Sequence, residues 1–296
     1  MHAIRTFVKN NWVGYLFLSP WLIGFVCLSA FPMGFSLYLA FTQYDMFSAP
    51  HWIGMNNFIE MFGDRKFIAS LKVTAKYVLI GVPLQLSFAL FIALVLNRGI
   101  GGLRIYRAVY YLPSLFGGSV AIALLWRQLF GAEGLVNRLL GSIGIEGMNW
   151  LSSPSTALYT LIILTIWQFG SSMVIFLAGL KQIPTDLYES ARIDGAGRFK
   201  QFSNITAPLL TPIIFFNLVM HIISAFQAFT PAYIVSGGTG GPLNSTLFYT
   251  LYLYQQGFTH FLMGYASAMA WFLLLIIAFV TALMFLSSGK WVFYQE

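Results

Sequence analysis

The longest uncharged stretch of the chain limits its fold more than any other feature. Residues 201–289 contain no Asp, Glu, Lys or Arg. Shorter uncharged stretches cover residues 10–44, 77–97, 108–126 and 147–180. A helix that crosses a bilayer needs about 20 mostly apolar residues, so each of these stretches is long enough for at least one span. We therefore expect a membrane protein.

The composition and the loops define how many spans there are. Only 8% of the 296 residues are charged and the mean hydropathy is +0.76, whereas soluble domains carry about 25% charged residues. The turn-forming sequence SGGTGGP at 236–242 divides the longest stretch in two. Because no loop is long enough to fold separately, we predict one transmembrane domain over residues 1–296, an all-α integral membrane protein of six helices. The predicted spans are 14–41, 74–97, 108–130, 156–180, 209–234 and 262–287.

Basic residues set the orientation, since cytoplasmic loops of membrane proteins are enriched in Lys and Arg. With the amino terminus in the cytoplasm, ten of the 16 basic residues lie on the inner side, namely Arg5, Lys9, Arg98, Arg104, Arg107, Lys181, Arg192, Arg198, Lys200 and Lys290. Both termini are then cytoplasmic. The third outer loop ends in the aromatic segment Leu247–Tyr254, which we expect to lie at the membrane interface.

Several kinds of chemistry have no signature in this sequence. There is no GxxxxGK[ST] phosphate loop and no GxSxG nucleophile elbow. The four histidines lack the spacing of a metal site, and no Asp or Glu lies inside a predicted span. We therefore expect a protein without a catalytic site, a metal site or an energy source of its own.

One segment is charged in this apolar chain. Lys181–Lys200 holds seven of the 25 charged residues (16 basic plus 9 acidic). Pro184 suits the first turn of a helix, and Gly195 suits its end because glycine adopts the left-handed conformation readily. Arg198 then begins a second short helix, and Pro208 leads into the fifth span. The sequence predicts helix, glycine elbow and helix, lying flat at the cytoplasmic surface.

This elbow has two interpretations on its residues alone. In the first it is an interfacial amphipathic hairpin, with Glu189–Arg192 and Asp194–Arg198 as ordinary pairs on a helix face. In the second it docks on a cytoplasmic partner, because its small residues let another surface approach closely. Those small residues are Ser190, Ala191, Gly195 and Ala196.

The residues of the elbow also carry a family resemblance. The pattern E-S-A-x-x-D-G-A-G-x(7)-I-x-x-P resembles the EAA loop of binding-protein-dependent ABC importer permeases, here at 184–208. FLAGLKQIPTDLYESARIDGAGRF, YYLPS, GGP and GYASAMA are similar to the maltose and multiple-sugar branch. Ser190 and Ala207 depart from the usual alanine and leucine. The residues that match the coupling motif are Glu189, Ser190, Ala191, Asp194, Gly195, Ala196, Gly197, Ile205 and Pro208.

The resemblance implies a type I ABC importer permease fold in which the elbow is a cytoplasmic coupling helix. It implies a non-catalytic subunit for carbohydrate import in the bacterial inner membrane. The expected partners are a second permease (as a hetero- or homodimer), two ATPase subunits and an extracytoplasmic solute-binding protein. ATP and Mg²⁺ would be bound by the ATPases, so no cofactor is expected on this chain.

Polar residues inside the spans are the candidates for a substrate path, because such groups tend to line water or ligand. By the resemblance, these regions match those that contact sugar in maltose-type permeases. The candidates are Ser114, Ser119, Trp167, Gln168, Ser172, His221, Ser224 and Gln227. Hydrogen bonding between helices is the alternative role for each of them.

Three other functions remain open on the sequence. The first is a permease for a non-sugar solute such as glycerol phosphate. The second is a stand-alone channel or secondary carrier, which would work without an ATPase. The third is a membrane enzyme, which the lack of paired His, Asp or Glu inside the spans disfavours.

Overall fold

The structure is a computed structural model that describes residues 2–98 and 102–293, with side chains from residue 12 onwards. Helices dominate it, and one two-stranded sheet accompanies them. The helices are α1 (His2–Phe25), α2 (Phe31–Ala40), α3 (Asn56–Gly63), α4 (Arg65–Leu96), α5 (Leu103–Leu115), α6 (Val120–Leu129), α7 (Leu135–Ser142), α8 (Ala157–Trp167), α9 (Gly170–Leu180), α10 (Thr185–Ile193), α11 (Arg198–Gln201), α12 (Ala207–Phe226), α13 (Thr230–Ser236), α14 (Tyr249–Tyr254) and α15 (Met263–Ser288). The strands are β1 (Thr42–Gln43) and β2 (His51–Trp52).

The long apolar helices agree with the predicted number of spans. Four continuous helices are long and apolar enough to cross a membrane: Trp12–Ala40, Arg65–Leu96, Arg198–Phe226 and Met263–Ser288. Two further pairs pass the same test together, α5 with α6, bent by 96°, and α8 with α9, bent by 42°. If each bent pair is one span, the described residues contain six spans, and the all-α fold is confirmed.

The second span begins earlier than predicted. Helix α4 starts at Arg65 rather than at residue 74, because Asp64 caps it by accepting a hydrogen bond of 2.8 Å from the backbone N–H of Lys66. The 32-residue helix is longer than an apolar core requires. Its first turns therefore extend the span on the side that carries Lys66, Lys72 and Lys76.

The fifth span also differs, and the second short helix of the elbow is a wrong prediction. Residues Arg198–Phe226 form one continuous helix instead of a short helix followed by a span at 209–234. It ends at Phe226, and residues 230–236 form the separate helix α13, which has a proline in its first turn. The elbow is therefore joined to the fifth span without a break.

A widened turn explains why this helix continues past a proline. Residues Phe202–Thr206 form a π-helical turn, and Pro208 follows it. The turn Val26–Ala30 precedes Pro32 in the first span in the same way. Proline lacks an N–H and its ring collides with the carbonyl four residues earlier, and a π turn relieves both problems without ending the helix.

The chain separates into two compact units, one of residues 1–63 with 254–273 and one of residues 64–253 with 274–296. That residues 1–296 form a single domain stays a prediction. In the first unit, β1 and β2 pair antiparallel with Thr42 opposite Trp52. The Ser48 hydroxyl and the N–H groups of Ser48 and Phe47 donate hydrogen bonds to Asp45, which lowers the pKa of this carboxyl.

Helix α4 is the centre of the second unit, where it packs against α8, α9 and α12. Its buried residues recur at the three- and four-residue spacing of one helix face. They are Phe67, Ser70, Thr74, Tyr77, Val78, Gly81, Val82, Gln85, Leu86, Ala89, Ala93 and Leu96. Gly179 lets α9 approach α12 closely, because a Cβ at this position would collide with the side chain of Ile213.

The aromatic segment before α15 does not lie at the interface, and that prediction is wrong. Leu247, Phe248 and Tyr249 are at most 1% exposed. The N–H of Tyr249 donates to Thr74 Oγ1 at 2.8 Å, and the Phe248 ring lies 4.6 Å from the ring of Tyr77. Contacts with α4 therefore bury this segment inside the protein.

Candidate functional site

A cavity of about 450 Å³ opens where three spans are interrupted. The first span to break is the α5–α6 pair at residues 116–119, the second is the α8–α9 pair at residues 168–169, and the third ends at Phe226. In a membrane, irregular backbone is tolerated where it is buried in protein or lines a water-filled cavity. The coincidence of three breaks at one cavity is typical of a site that receives a polar ligand.

The walls of the cavity are polar but uncharged. No Asp, Glu, Lys or Arg is among its described lining residues. Amides, hydroxyls, one imidazole and two aromatic rings provide the surface instead. The lining side chains are Tyr77, Gln85, Ser114, Thr165, Gln168, Ser171, His221, Ser224, Ala225, Gln227, Ala228, Phe229, Thr230 and Pro231, with Gly117 and Gly118.

Gln168 is held in position by the break that contains it. It follows the last residue of α8, and its backbone carbonyl accepts a hydrogen bond of 3.2 Å from Gln85 Nε2. Gly117 makes room for its side chain, because a Cβ there would lie 2.7 Å from Gln168 Oε1. The side-chain amide of Gln168 has no hydrogen-bond partner within the described part of the chain. It is therefore available to a ligand.

The sequence did not single out the wall that α4 and α8 provide. The hydroxyls of Tyr77 and Thr165 lie 2.5 Å apart and join the two helices. Tyr77 and Gln85 lie on the buried face of α4, eight residues apart, which is close to two helical turns. The recurrence of Thr74, Tyr77 and Gln85 at helical spacing was the signal for a polar stripe on an otherwise apolar span.

His221 is fixed by a hydroxyl from a neighbouring helix. Its Nε2 lies 2.6 Å from Ser172 Oγ, and Ser172 is 1% exposed. Ser172 therefore supports the cavity from behind and does not line it. One turn further along, Ser224 and Gln227 expose side chains that form no hydrogen bond to any described residue.

The other predicted path residues have different surroundings. Ser114 lines the cavity, and its hydroxyl donates to the carbonyl of Tyr111 at 2.7 Å. Ser119 caps α6 by accepting a hydrogen bond from Ile122, and Trp167 packs against Trp126 with ring centres 5.9 Å apart. The cavity thus brings together Ser114, Gln168, His221, Ser224 and Gln227, while Ser119, Trp167 and Ser172 lie outside its lining.

The elbow has the geometry that its glycine predicts. Gly195 ends α10 with a φ of 75°, in the left-handed region. Its N–H donates to the carbonyl of Arg192 at 3.0 Å, and the N–H of Ala196 donates to the carbonyl of Ala191 at 2.8 Å. These two bonds form a Schellman motif, which satisfies carbonyls at the end of a helix.

The coupling-motif residues of α10 and its elbow lie at the surface. Glu189, Ser190, Asp194 and Gly195 are exposed, whereas Ala191, Ala196, Ile205 and Pro208 are half-buried. Two apolar side chains that the motif did not indicate are also exposed, Ile193 at 87% and Phe199 at 83%. In the described residues no ion pair joins Glu189 to Arg192 or Asp194 to Arg198.

A hydroxyl pair joins α10 to the fifth span. Tyr188 Oη lies 2.8 Å from Thr206 Oγ1, and Thr206 is 5% exposed inside the π turn. From Thr206 the same continuous helix reaches Ser224 at the cavity, a distance of roughly 27 Å at 1.5 Å per residue. The elbow and the cavity are therefore connected by one continuous helix.

Comparisons with known proteins agree with this architecture. A probable ABC transporter permease protein, YesP of Bacillus subtilis (strain 168), is 57% identical over 298 residues, which cover 100% of this chain and 96% of the relative. The lactose transport system permease protein LacF of Rhizobium radiobacter is 31% identical, covering 94% of each chain. The sn-glycerol-3-phosphate transport system permease protein UgpA of Yersinia enterocolitica is 30% identical and covers both chains fully.

A solved structure shows the same fold. A chain of a bacterial alginate ABC transporter, in complex with an alginate pentasaccharide-bound periplasmic protein, superposes with a TM-score of 0.80. It is 24% identical and the match covers 96% of each chain. The family model described as "Binding-protein-dependent transport system inner membrane component" matches residues 3–291. This chain therefore belongs to that family and is a membrane-spanning permease of a binding-protein-dependent transport system.

Proposed function

We propose that the chain is the permease subunit of an ATP-driven carbohydrate importer and forms half of its translocation path. The observation that carries this proposal is the uncharged polar cavity at the three helix breaks. Neutral sugars are bound by hydroxyl and amide partners and by flat aromatic faces. Gln168, Ser224 and Gln227 supply the polar groups, and Tyr77 and Phe229 supply rings.

The size of the cavity and a relative support this substrate class. About 450 Å³ lies within the range of roughly 300–1,000 Å³ that is usual for small-ligand sites. LacF, which covers nearly the whole chain, is named as a lactose permease. We infer that the cavity holds one part of an oligosaccharide, and that a second permease supplies the opposite wall.

The elbow supports coupling to a separate ATPase. Exposed Ile193 and Phe199, beside the unpaired charges of Glu189 and Asp194, form a surface that combines apolar contact with specific polar recognition. We assign ATP and Mg²⁺ binding to two partner ATPases and sugar delivery to an extracytoplasmic binding protein. The chain lies in the bacterial inner membrane with both termini in the cytoplasm, as its basic residues predict.

Two alternatives are weaker on the same observations. A glycerol phosphate permease is supported by the identity with UgpA, but a phosphate dianion is usually met by Arg or Lys, and neither lines the cavity. A stand-alone channel or secondary carrier would have no use for an exposed elbow that one continuous helix joins to the cavity wall.

Replacement of the cavity amides tests the proposal. The substrate is first identified by mass as the oligosaccharide retained by the co-purified binding protein. In proteoliposomes with the complete importer, Gln168→Leu and Gln227→Leu should each raise the KM for uptake about three- to tenfold, the value of one or two lost hydrogen bonds. Basal ATP hydrolysis and assembly should not change.

Gln182→Leu is the matched control, because Gln182 is exposed beyond the end of α9 and lies outside the cavity. Wild-type KM values for both cavity variants would contradict a sugar site at this place. A binding protein that retains a phosphorylated polyol, with no retained glycan, would favour the glycerol phosphate alternative.

A further inference from the structure

A second cavity lies on the side predicted to face outwards. Its volume is about 560 Å³, within the range of roughly 300–1,000 Å³ that is usual for small-ligand sites. It is formed by the end of α6, the loop before α8 and the turn after α13. The lining residues are Arg127, Phe130, Gly131, Ala132, Asn149, Leu151, Ser152, Val235, Ser236, Thr239, Gly241 and Pro242.

This outer cavity contains a guanidinium group without a carboxylate. Arg127 lies in the last turn of α6, and no Asp or Glu is among the described residues that line the cavity. The side chains of Arg127, Asn149 and Ser152 form no hydrogen bond or ion pair within the described part of the chain. The guanidinium of Arg127 is therefore available to bind an anionic group of a ligand. The side chains of Asn149 and Ser152 are available to bind its hydroxyls.

The walls around Arg127 are firmly built. Trp126 and Phe130 form a buried cluster with Leu164, and Trp126 Nε1 donates to the carbonyl of Thr160 at 2.8 Å. Asn137 holds the loop before α8, because its amide bonds to the carbonyls of Ala132 and Met148 and accepts from Trp150 Nε1 at 2.7 Å. These contacts fix the helix end that carries Arg127 and the loop that carries Asn149.

The turn after α13 forms the opposite wall. Ser236 Oγ accepts a hydrogen bond of 3.1 Å from the N–H of Gly240, and Thr239 Oγ1 accepts one from Gly241. Four glycines of this turn have φ between 64° and 88°. The serine and threonine therefore stabilise a glycine conformation that keeps the outer cavity open.

We propose that the outer cavity is a second sugar subsite that recognises a carboxylate, so that the importer carries acidic oligosaccharides. This inference rests on the proposed carbohydrate function. Arginine is suited to the role because its planar guanidinium binds a carboxylate through two parallel hydrogen bonds. Asn149 and Ser152 bind hydroxyls of the same sugar unit.

Binding of a matched sugar pair tests the subsite. The probes are cellobiose and cellobiouronate, which differ by the carboxylate of one ring. The full-length permease in the assembled importer is placed in nanodiscs, and binding is measured by saturation-transfer NMR. Wild type should prefer cellobiouronate, and Arg127→Gln should weaken its binding about ten- to a hundredfold, as expected for a lost hydrogen bond to a charged group. Cellobiose binding should change less than twofold.

Two further variants make the result specific. Arg127→Lys keeps the charge and should retain part of the preference. Arg138→Gln is the matched control, since Arg138 is also basic and exposed but bonds to the carbonyl of Glu133 and lies outside the cavity. It should behave as wild type.

Three outcomes would overturn the assignment. They are no preference for cellobiouronate in wild type, an equal loss for both sugars in Arg127→Gln, and a loss of binding-protein affinity with the sugar preference unchanged. The last would show that the guanidinium meets a carboxylate of the protein partner. If the preference is present but neither sugar nor any oligosaccharide is transported by the complete importer, the subsite is supported and the carbohydrate import function is contradicted.

Discussion

The elbow and the inner cavity lie near opposite ends of one helix, and they differ in charge, in exposure and in backbone geometry. The elbow is charged, exposed and organised by a glycine with a φ of 75°. The described residues that line the cavity are uncharged, and they lie at breaks in three spans. Residues 198–226 join them without interruption.

The difference between the two regions agrees with the binding partner proposed for each. The elbow presents the exposed apolar side chains of Ile193 and Phe199 among charged residues, which suits the docking of a soluble partner proposed above. The cavity presents amides and hydroxyls with no charged side chain among its described lining residues, which suits the sugar binding proposed above. We expect damage to the elbow to affect energy coupling, and damage to the cavity to affect substrate affinity.

The largest effect is expected at the elbow, for Gly195→Pro. Proline requires a φ near −65°, whereas Gly195 has a φ of 75°, and it removes the N–H that bonds to Arg192. The Schellman motif cannot form, so α10 no longer ends at the angle that a partner surface fits. Uptake should fall to background, measured in proteoliposomes with the complete importer.

Gly197→Ala is the control for this variant. Gly197 has a φ of −67°, which alanine adopts readily, and a Cβ there would meet no atom within 4 Å. It should retain most of the uptake. Wild-type uptake by Gly195→Pro would show that the elbow is an interfacial hairpin without a role in coupling.

A smaller effect is expected at the cavity, from two adjacent glycines. A Cβ at Gly117 would lie 2.7 Å from Gln168 Oε1, whereas a Cβ at Gly118 would meet nothing within 4 Å. Gly117→Ala should therefore displace the Gln168 amide and raise the KM for uptake about three- to tenfold. Gly118→Ala should leave KM unchanged, and equal effects of the two substitutions would argue against a role of Gln168 in binding.

The smallest effect concerns the contact between the elbow and the fifth span. Tyr188→Phe removes one hydroxyl of the pair with Thr206, which is worth about 0.5–1.5 kcal/mol. Substrate-stimulated ATP hydrolysis should fall about two- to fivefold, while basal hydrolysis stays constant. Thr206→Val should have the same effect, and Thr206→Ser should be close to wild type.

A double variant decides whether these two hydroxyls act together. Tyr188→Phe combined with Thr206→Val should be no worse than either alone, because the two residues share one interaction. Strictly additive losses would show that each hydroxyl acts separately and that the pair does not transmit motion.

The elbow could be predicted in more detail than the cavity. Pro184 directly precedes α10 and Gly195 lies two residues after its end at Ile193, because helix termini depend on local backbone preferences. The prediction of a separate second short helix was wrong for a local reason as well. A π turn at Phe202–Thr206 lets the helix continue past Pro208. The span predicted at 209–234 corresponds to the helix Arg198–Phe226, which starts earlier and ends before the separate helix α13.

The sequence predicted several polar residues of the cavity but not how they are arranged in space. Gln168, His221 and Gln227 stood out against apolar surroundings, yet their meeting depends on how three separate breaks align in space. Tyr77 and Gln85 were missed because they lie within an unbroken apolar span, and only packing against α8 and α9 brings them to the same wall. The helical spacing of Thr74, Tyr77 and Gln85 in that span was the sequence signal for this polar stripe.

The separation of coupling from binding is tested most directly by the amount of ATPase that co-purifies with the permease. The measurement compares wild type with Gly195→Pro and Gln168→Leu, after membrane insertion and pairing with the second permease have been verified for each. We predict that Gly195→Pro loses the ATPase and that Gln168→Leu retains the wild-type amount while its KM for sugar rises. Full retention of the ATPase by Gly195→Pro, or its loss from Gln168→Leu, would contradict the account.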